Sequence, residues 1–294
     1  MNTTRHLAWY AFQFDIPLDW EITGHAIDER EGRLEFSTRD GFQAAVHWEP
    51  CKAYSPESAM QAFLQKHVPA ARDTPVTRLL VTRDAGAFRL GIPAGAGQPC
   101  QAVHHLAASR KLLRWVFADA SPEAVERHWR PLLASFEGNQ GPVRRFAAFG
   151  LDVRVPSEYD LEDLTVYPAN VMMAFESKRK ARLRLHRWGL PELVLGGRTL
   201  SAFYAGFLGA QKAQPAEPRT TTFRGCPAVT VAYEQRPEHQ MDAMMGRHWK
   251  NGVAWLWHDQ AEQRLYACEQ IGPEGVEPLP LDAMFGAAPT EARA

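Results

Sequence analysis

The start of each half of this 294-residue chain carries the same sparse pattern. One copy reads FQFDIPLDWEI and the other reads LDVRVPSEYDL. Matching positions lie 139 apart (156 − 17 = 139), and the pairs are Pro17 with Pro156, Trp20 with Tyr159 and Phe36 with Phe175. Trp48 and Trp188 also match, one residue further out of step. A repeat of this length is the size of one domain and too long for a solenoid unit, so the sequence predicts two tandem domains, 1–138 and 139–294.

The composition is that of an ordinary globular protein, with 45% hydrophobic and 23% charged residues. A net charge of −1 gives no general attraction to nucleic acid or acidic lipid. No apolar stretch is long enough to span a membrane, and the N-terminus lacks the pattern of a signal peptide. The four cysteines form no CxxC motif, so we expect reduced thiols and a cytoplasmic protein.

The order of predicted elements is similar in the two halves. Alternating residues predict a hairpin at 33–37 and 43–48 and a second at 171–176 and 182–187. Capping signals predict helices at 55–67 and from Ser121, and a third helix is expected near Thr199, after Gly196-Gly197. Pro278 and Pro280 interrupt the last helix and leave a short turn at 281–285. Residues 137–142 have the composition of a linker. The pattern predicts an α+β fold in which each repeat is a mainly antiparallel sheet flanked by helices, with the two repeats arranged as a pseudo-dimer.

The opening motif of each repeat resembles the PsbP-like fold. The residues that carry this resemblance are Phe14, Ile16, Pro17 and Trp20, and in the second copy Val153, Val155, Pro156 and Tyr159. That fold is shared by the photosystem II extrinsic subunit, the Ran-binding Mog-type proteins and small bacterial chaperones of secreted effectors. The resemblance implies binding and assembly rather than catalysis, and it implies no catalytic residues.

A candidate metal site lies in the second repeat, where the possible ligands are Cys226, His248, His258 and Cys268. Thiolate and imidazole ligands suit zinc or copper. However, the spacing matches no standard zinc motif, and none of the cysteines recurs in the first repeat. Packed thiols and surface imidazoles are therefore the favoured interpretation, and we expect no cofactor, with a transition metal as the alternative.

Two groups in the second repeat are candidates for contact with a partner. Met241, Met244 and Met245 could form an adaptable apolar surface, because the methionine side chain is flexible and polarizable. Trp255 and Trp257 lie two apart, so on a strand they share one sheet face and could form a stacking wall. The alternative for both groups is an ordinary hydrophobic core.

A basic run between 178 and 187 is a candidate anion-binding hairpin. Its charges begin with Lys178, Arg179, Lys180 and Arg182. They could bind phosphate or an acidic partner, but the favoured interpretation is a solvated hairpin whose charges protect a sheet edge. The run holds no interleaved aromatic residue, so we do not expect nucleic acid as the partner.

The sequence contains no GxSxG, no HExxH and no phosphate-binding loop. We therefore expect a cytoplasmic, bacterial-type binding or chaperone-like protein and not an enzyme. It would hold another protein on a surface formed by the two repeats. The alternative is a metal- or small-molecule-dependent activity in the second repeat.

Overall fold

The structure is a computed structural model. It describes residues 4–52, 80–84, 87–92, 100–119, 121–211, 213–235, 250–272 and 277–286. The chain divides into two compact units, Met1–Ala148 (unit 1) and Phe149–Ala294 (unit 2). Most of the described residues lie in strands, and these form antiparallel sheets.

Unit 1 is built mainly from strands. They are β1 (Thr4–Trp9), β2 (Phe12–Pro17), β3 (Glu21–His25), β4 (Gly32–Thr38), β5 (Gly41–Pro50), β6 (Leu80–Asp84), β7 (Ala87–Ile92), β8 (Cys100–Leu106), β9 (Lys111–Phe117), β10 (Glu137–Gly138) and β11 (Val143–Ala148). The helix α1 comprises a short turn (Pro122–Ala124), a π-helical segment (Val125–Trp129) and a final turn (Arg130–Ala134).

Two sheets of unit 1 face each other. The larger has the strand order β3-β4-β5-β9-β8-β7-β6, and the smaller contains β10, β2, β1 and β11 in that order. Alternating aromatic residues of β2 fill the space between them: Phe14 packs edge-on against Trp115 with ring centroids 4.9 Å apart, and Phe12 packs against Trp48 at 5.7 Å. Phe136, just after α1, stacks on both Phe12 and Phe14. Unit 1 is therefore a sandwich with an aromatic core.

Unit 2 has its own set of strands and helices. The strands are β12 (Leu151–Pro156), β13 (Tyr159–Tyr167), β14 (Asn170–Ser177), β15 (Arg182–Gly189), β16 (Ala213–Pro215), β17 (Arg219–Phe223), β18 (Cys226–Gln235), β19 (Lys250–Asp259) and β20 (Arg264–Gly272). The helices are α2 (Pro191–Leu195), α3 (Leu200–Ala210) and α4 (Leu281–Phe285).

The large sheet of unit 2 has the order β13-β14-β15-β20-β19-β18, and both β16 and β17 pair with the outer edge of β18. The strand order follows the same rule as in the large sheet of unit 1. In each sheet the first three strands are neighbours in chain order, the third pairs with the last strand of the sheet, and the remaining strands follow in reverse chain order. Because side chains alternate along strands, the pairing register divides the sheet into two faces. The helix face carries Trp188, Leu256 and Ala267 beneath α3, and the far face carries residues such as Phe175 and Trp257.

The expectation of an α+β fold with helix-flanked sheets is wrong, because the protein is mostly β. The capping signals marked where helices begin, and Thr199 does cap α3 by accepting a hydrogen bond from the Ala202 backbone N–H. These signals do not set helix length, however, and α2 and α4 have only five residues each. The helix expected at 55–67 lies outside the described residues.

Residues with a left-handed backbone conformation (positive φ) form turns that divide the chain into more strands than the alternation pattern predicts. The sequence pattern predicts one strand across 10–16, but Tyr10 has a φ of 45° and turns the chain, so β1 and β2 form a hairpin. Phe149, 139 positions later (149 − 10 = 139), has a φ of 54° and ends β11 in the same way. Bulky residues rarely adopt positive φ, so nothing in their identity predicts these turns.

Residues 137–142, expected to be a linker, include β10 and the buried Asn139. The Asn139 side-chain amide donates to the carbonyl oxygens of Tyr10 (2.9 Å) and Arg145 (2.6 Å), and its Oδ1 accepts from the Arg145 backbone N–H (3.0 Å). One side chain thus satisfies three backbone groups around the Tyr10 turn.

We predict that Asn139→Ala lowers the free energy of unfolding by about 2–4 kcal/mol, because buried backbone groups lose their partners. Urea denaturation followed by tryptophan fluorescence would measure the loss. Asn251→Ala removes the same side chain from an exposed position on β19 and is the matched control. Equal stability of the two variants would contradict the prediction.

Candidate functional site

Unit 2 concentrates its exposed apolar side chains at one end of its sheet. Among the described residues of this unit, the large hydrophobic side chains that are exposed are Val166 (37%), Tyr167 (64%), Leu190 (60%) and Leu193 (78%). Val166 and Tyr167 end β13, and the two leucines lie just after β15. The corresponding exposed residues of unit 1, such as Leu18 and Phe42, lie in separate turns and strands.

Backbone contacts bring these two segments side by side. The Gly189 backbone N–H donates to the Ala169 carbonyl at 2.7 Å, so the start of α2 lies beside the turn that follows Tyr167. A Cβ on Gly189 would lie only 3.3 Å from the Cβ of Ala169, so the close approach depends on this glycine. Leu190 then takes a left-handed φ of 53°, and Pro191 starts α2. The sequence Gly-Leu-Pro therefore directs Leu190 and Leu193 to the end of the sheet that holds Tyr167.

The helix α3 covers only part of the helix face. It packs over β16, β18 and β19, and its Phe203 and Phe207 contact Trp188 of β15. The part of the same face formed by β13 and β14 is exposed or half-buried, and we call it the open face. Its uncharged residues include Thr165, Tyr167, Met172 and Ala174, and Asp163 lies on the same face opposite Ala174. Leu190 and Leu193 follow β15 at the end of the sheet that holds Tyr167, so exposed apolar side chains are grouped at this end.

The first half of β13 is acidic. Glu158, just before the strand, and Asp160, Glu162 and Asp163 within it are all exposed. A β-bulge between Leu161 and Asp163 lies within this acidic half, and the second half, 164–167, is neutral. In the described residues, neither Glu162 nor Asp163 forms an ion pair. The surface at this edge is thus apolar at one end and negative at the other.

A buried carboxylate beneath α3 is the main polar group that sequence reasoning missed. Glu269 is fully buried, accepts a hydrogen bond from the Tyr204 hydroxyl (3.1 Å) and lies 3.5 Å from His186 Nε2. Burial, and then the Glu269 charge, raise the pKa of Tyr204 well above its usual value. The break in the apolar series Leu265, Ala267, Glu269 was the available signal. The hydrogen bond from Tyr204 to this carboxylate joins α3 to the sheet.

The two candidate tryptophans occupy different environments. Trp257 is buried on the far face among Phe223, Tyr266 and Phe285. Trp255 lies on the same face and is half-buried. This face is core where Trp257 lies, and it does not form part of the open face. Met241, Met244 and Met245 lie outside the described residues.

The candidate metal ligands do not converge. Cys226 and Cys268 both lie on the far face, but two strand spacings (with β19 between them) and four residues along the strand separate them, a distance on the order of 15 Å. His258 points to the opposite face, and His248 lies outside the described residues. Burial raises the pKa of both thiols, which disfavours the thiolate that a metal binds. No cluster of three or more potential ligands is found in the part of the chain that the structure describes.

The basic run forms the predicted hairpin of β14 and β15, and two of its four leading cations, Lys180 and Arg182, share one carboxylate. Glu176 accepts from Lys180 Nζ at 2.7 Å and from Arg182 Nε at 2.8 Å. These two bonds hold the pKa of the Glu176 carboxyl below its ordinary value of 4.5. Lys178 and Arg179 are exposed at the tip and make no ion pair with any described residue. The hairpin therefore presents two free charges, fewer than the sequence implies.

A cavity of about 340 Å³ opens in unit 1. Its charged lining combines Arg33 and Arg114 with Glu31 and Glu49 around His47. Burial, followed by the two arginines, lowers the pKa of His47. Two cations and two carboxylates line the cavity, so its charge favours neither an anion nor a cation.

Within the described ranges, no helix is both long and apolar enough to cross a membrane.

Comparison with known proteins identifies no family. No protein-family model matches the chain, and a search of curated proteins finds no significant match. Among solved structures, the chain is similar to the apo form of the immunity protein TplEi of the T6SS from Pseudomonas aeruginosa, with 11% identity and a TM-score of 0.33 over 94% of this chain and 90% of that chain. The same protein complexed with an "L" peptide gives 10% identity and a TM-score of 0.31, covering 95% and 90%. Likeness at this level carries no argument about function.

We predict that Glu176→Gln lowers stability at neutral pH by about 0.5–1 kcal/mol, as expected for a partly exposed ion-pair network. Because the folded-state pKa of Glu176 is lowered, its contribution is present above pH 4.5 and lost as the pH falls through the folded value. The difference between the variant and the wild type should therefore vanish in acid. Urea denaturation over a pH series would measure it.

Lys178→Gln is the matched control, because it removes a charge of the same run that forms no ion pair. It should leave stability unchanged at every pH. A difference for Glu176→Gln that persists in acid would show that the cause is not the ion pair.

Proposed function

We propose that this protein binds another polypeptide through the open face of unit 2 and the leucines at its end. The observation that carries the proposal is the grouping of Val166, Tyr167, Leu190 and Leu193 at one end of one sheet. Single exposed hydrophobic residues are normal on protein surfaces, but a grouped set marks an interaction surface. Tyrosine and leucine at such a place provide large contact area.

The shape of the surface favours a polypeptide over a small molecule as the ligand. Small-molecule sites are concave and enclose most of their ligand. The open face is instead a stretch of two strands, β14 and the edge strand β13. A polypeptide can extend along such a surface and make many contacts, and the partial cover by α3 leaves room for it.

The binding mode is that of a scaffold and requires no chemical step. The buried Glu269 and Tyr204 are closed off beneath α3, and the two described cysteines of unit 2 have raised pKa values. These groups support the structure around the open face. The protein would therefore act by occupancy, holding its partner.

We predict that Leu193→Asp abolishes capture of the partner. Affinity capture from a lysate of the source organism should enrich one protein with the wild type and lose it by on the order of tenfold or more with the variant, since a charge would be buried in the interface. Mass spectrometry identifies the protein, and calorimetry with purified components measures the affinity.

Leu18→Asp is the matched control, because Leu18 of unit 1 is also a highly exposed leucine (53%) outside the open face. It should capture the same protein as the wild type. Equal capture by Leu193→Asp would reject the open face as the binding surface.

A further inference from the structure

We infer that the partner binds by adding a strand to the free edge of β13. The segment that binds would be extended, with β-branched or aromatic residues followed by basic residues, and would run antiparallel to β13. This inference rests on the proposed function and specifies its binding mode.

The edge of β13 is available for pairing. β13 is the first strand of the large sheet of unit 2 and pairs on one side only, with β14, among the described strands. An edge strand presents backbone N–H and C=O groups that another chain can pair with. The alternation of hydrogen bonds along a strand determines which residues present them.

The β14–β15 hairpin fixes this alternation. The Ser177 backbone N–H donates to the Ala181 carbonyl at 2.8 Å, so odd-numbered residues of β14 bond to β15 and even-numbered ones bond to β13. Met172, an even-numbered residue, is opposite Thr165 in β13. Thr165 therefore bonds inward, and its neighbours Leu164 and Val166 direct their backbone N–H and C=O groups to the free edge.

Protection of this edge is confined to its first half. Natural edge strands avoid unwanted pairing through charges and bulges. β13 has both devices before Asp163, in the acidic residues and in the bulge that follows Leu161. It has neither in 164–167, the sequence Leu-Thr-Val-Tyr, which is regular, uncharged and rich in strand-forming residues. The unprotected half is therefore suited to pair with another strand.

The side chains beside the unprotected half would contact every second residue of the added strand. Thr165 and Tyr167 lie on the open face, and Leu193 lies at its end. Val166 is exposed on the other face. An added strand could thus place one row of side chains over the open face and the other row beside Val166, which explains why both faces are apolar at this position.

The acidic half of β13 sets the charge and direction of the partner. An antiparallel segment that pairs with 164–167 continues past Asp163 and Glu162 toward its own C-terminus. These two carboxylates are exposed and form no ion pair with a described residue. Basic residues after the apolar ones would meet them, whereas acidic residues would be repelled. Antiparallel pairing is also the commoner of the two arrangements.

A short synthetic peptide tests this binding mode. It is acetylated and amidated, alternates valine and threonine in its first half, and alternates lysine and threonine in its second half. Fluorescence anisotropy of the labelled peptide with the full-length protein measures its affinity. Val166→Pro removes an outward N–H and leaves the bonds of Thr165 to β14 intact, so binding should weaken about tenfold or more because the partner carbonyl loses its donor.

Val166→Thr is the control for this variant, because it keeps the N–H and the β-branched shape. It should bind the peptide as the wild type does. The charge requirement has its own test that does not alter the backbone. A variant that combines Glu162→Lys with Asp163→Lys should lose the lysine peptide and gain a matched peptide with glutamate in place of lysine.

The results separate this inference from the proposed function. Equal binding of the lysine peptide by Val166→Pro and Val166→Thr, with both folded, would overturn strand addition. If Val166→Pro also captures the natural partner but Leu193→Asp does not, the open face is the binding surface and the strand-addition mode is wrong. A wild-type dimer in sedimentation that becomes a monomer with Val166→Pro would overturn the inferred partner, because a second copy would occupy the edge.

Discussion

Each large sheet depends on one pairing between strands that are distant in the chain, β5 with β9 and β15 with β20. In unit 2 this pairing joins a half made of β13, β14 and β15 to a half made of β18, β19 and β20. The connection between the halves contains α3, which packs back over the second half. The open face therefore results from the topology, because the helix that covers the sheet belongs to the crossover and packs over the second half and over Trp188 of β15, the strand just before it.

Strand register determines on which face of its sheet each aromatic residue lies, and it shows that Trp48 and Trp188 are not equivalent positions. Trp48 faces the small sheet of unit 1 and packs on Phe12, whereas Trp188 lies on the helix face beneath Phe203. The two tryptophans are 140 positions apart (188 − 48 = 140), one more than the other pairs. A shift of one residue moves a side chain to the opposite face of a sheet, so the extra residue was the signal that they are not equivalent.

The elements that could be predicted are those with local signals. Alternation predicts the hairpins of β4 with β5 and of β14 with β15, the Gly-Gly pair before Thr199 predicts the start of α3, and Pro278 and Pro280 predict that α4 is short. The hairpin turn at Tyr10 could not be predicted, because a large aromatic residue gives no sign of a positive φ. Its conformation is maintained by Asn139, which is 129 residues away in the chain, so the cause is not local. The mostly β character was missed for the same reason, since several strands are defined by distant partners.

The candidate site could not be predicted because the bulge in β13 conceals the strand. Tyr159 and Leu161 are buried at odd positions, but after the bulge Leu164 and Val166 share the far face at even positions. A pattern of period two read across this point changes phase, and the segment Tyr159–Tyr167 no longer reads as one strand. The same irregularity ends the protected, acidic half of the edge and leaves 164–167 regular and uncharged. The bulge that breaks the sequence pattern therefore also divides the edge into an acidic half, which would admit only a basic segment, and an uncharged half, which can pair with an apolar one.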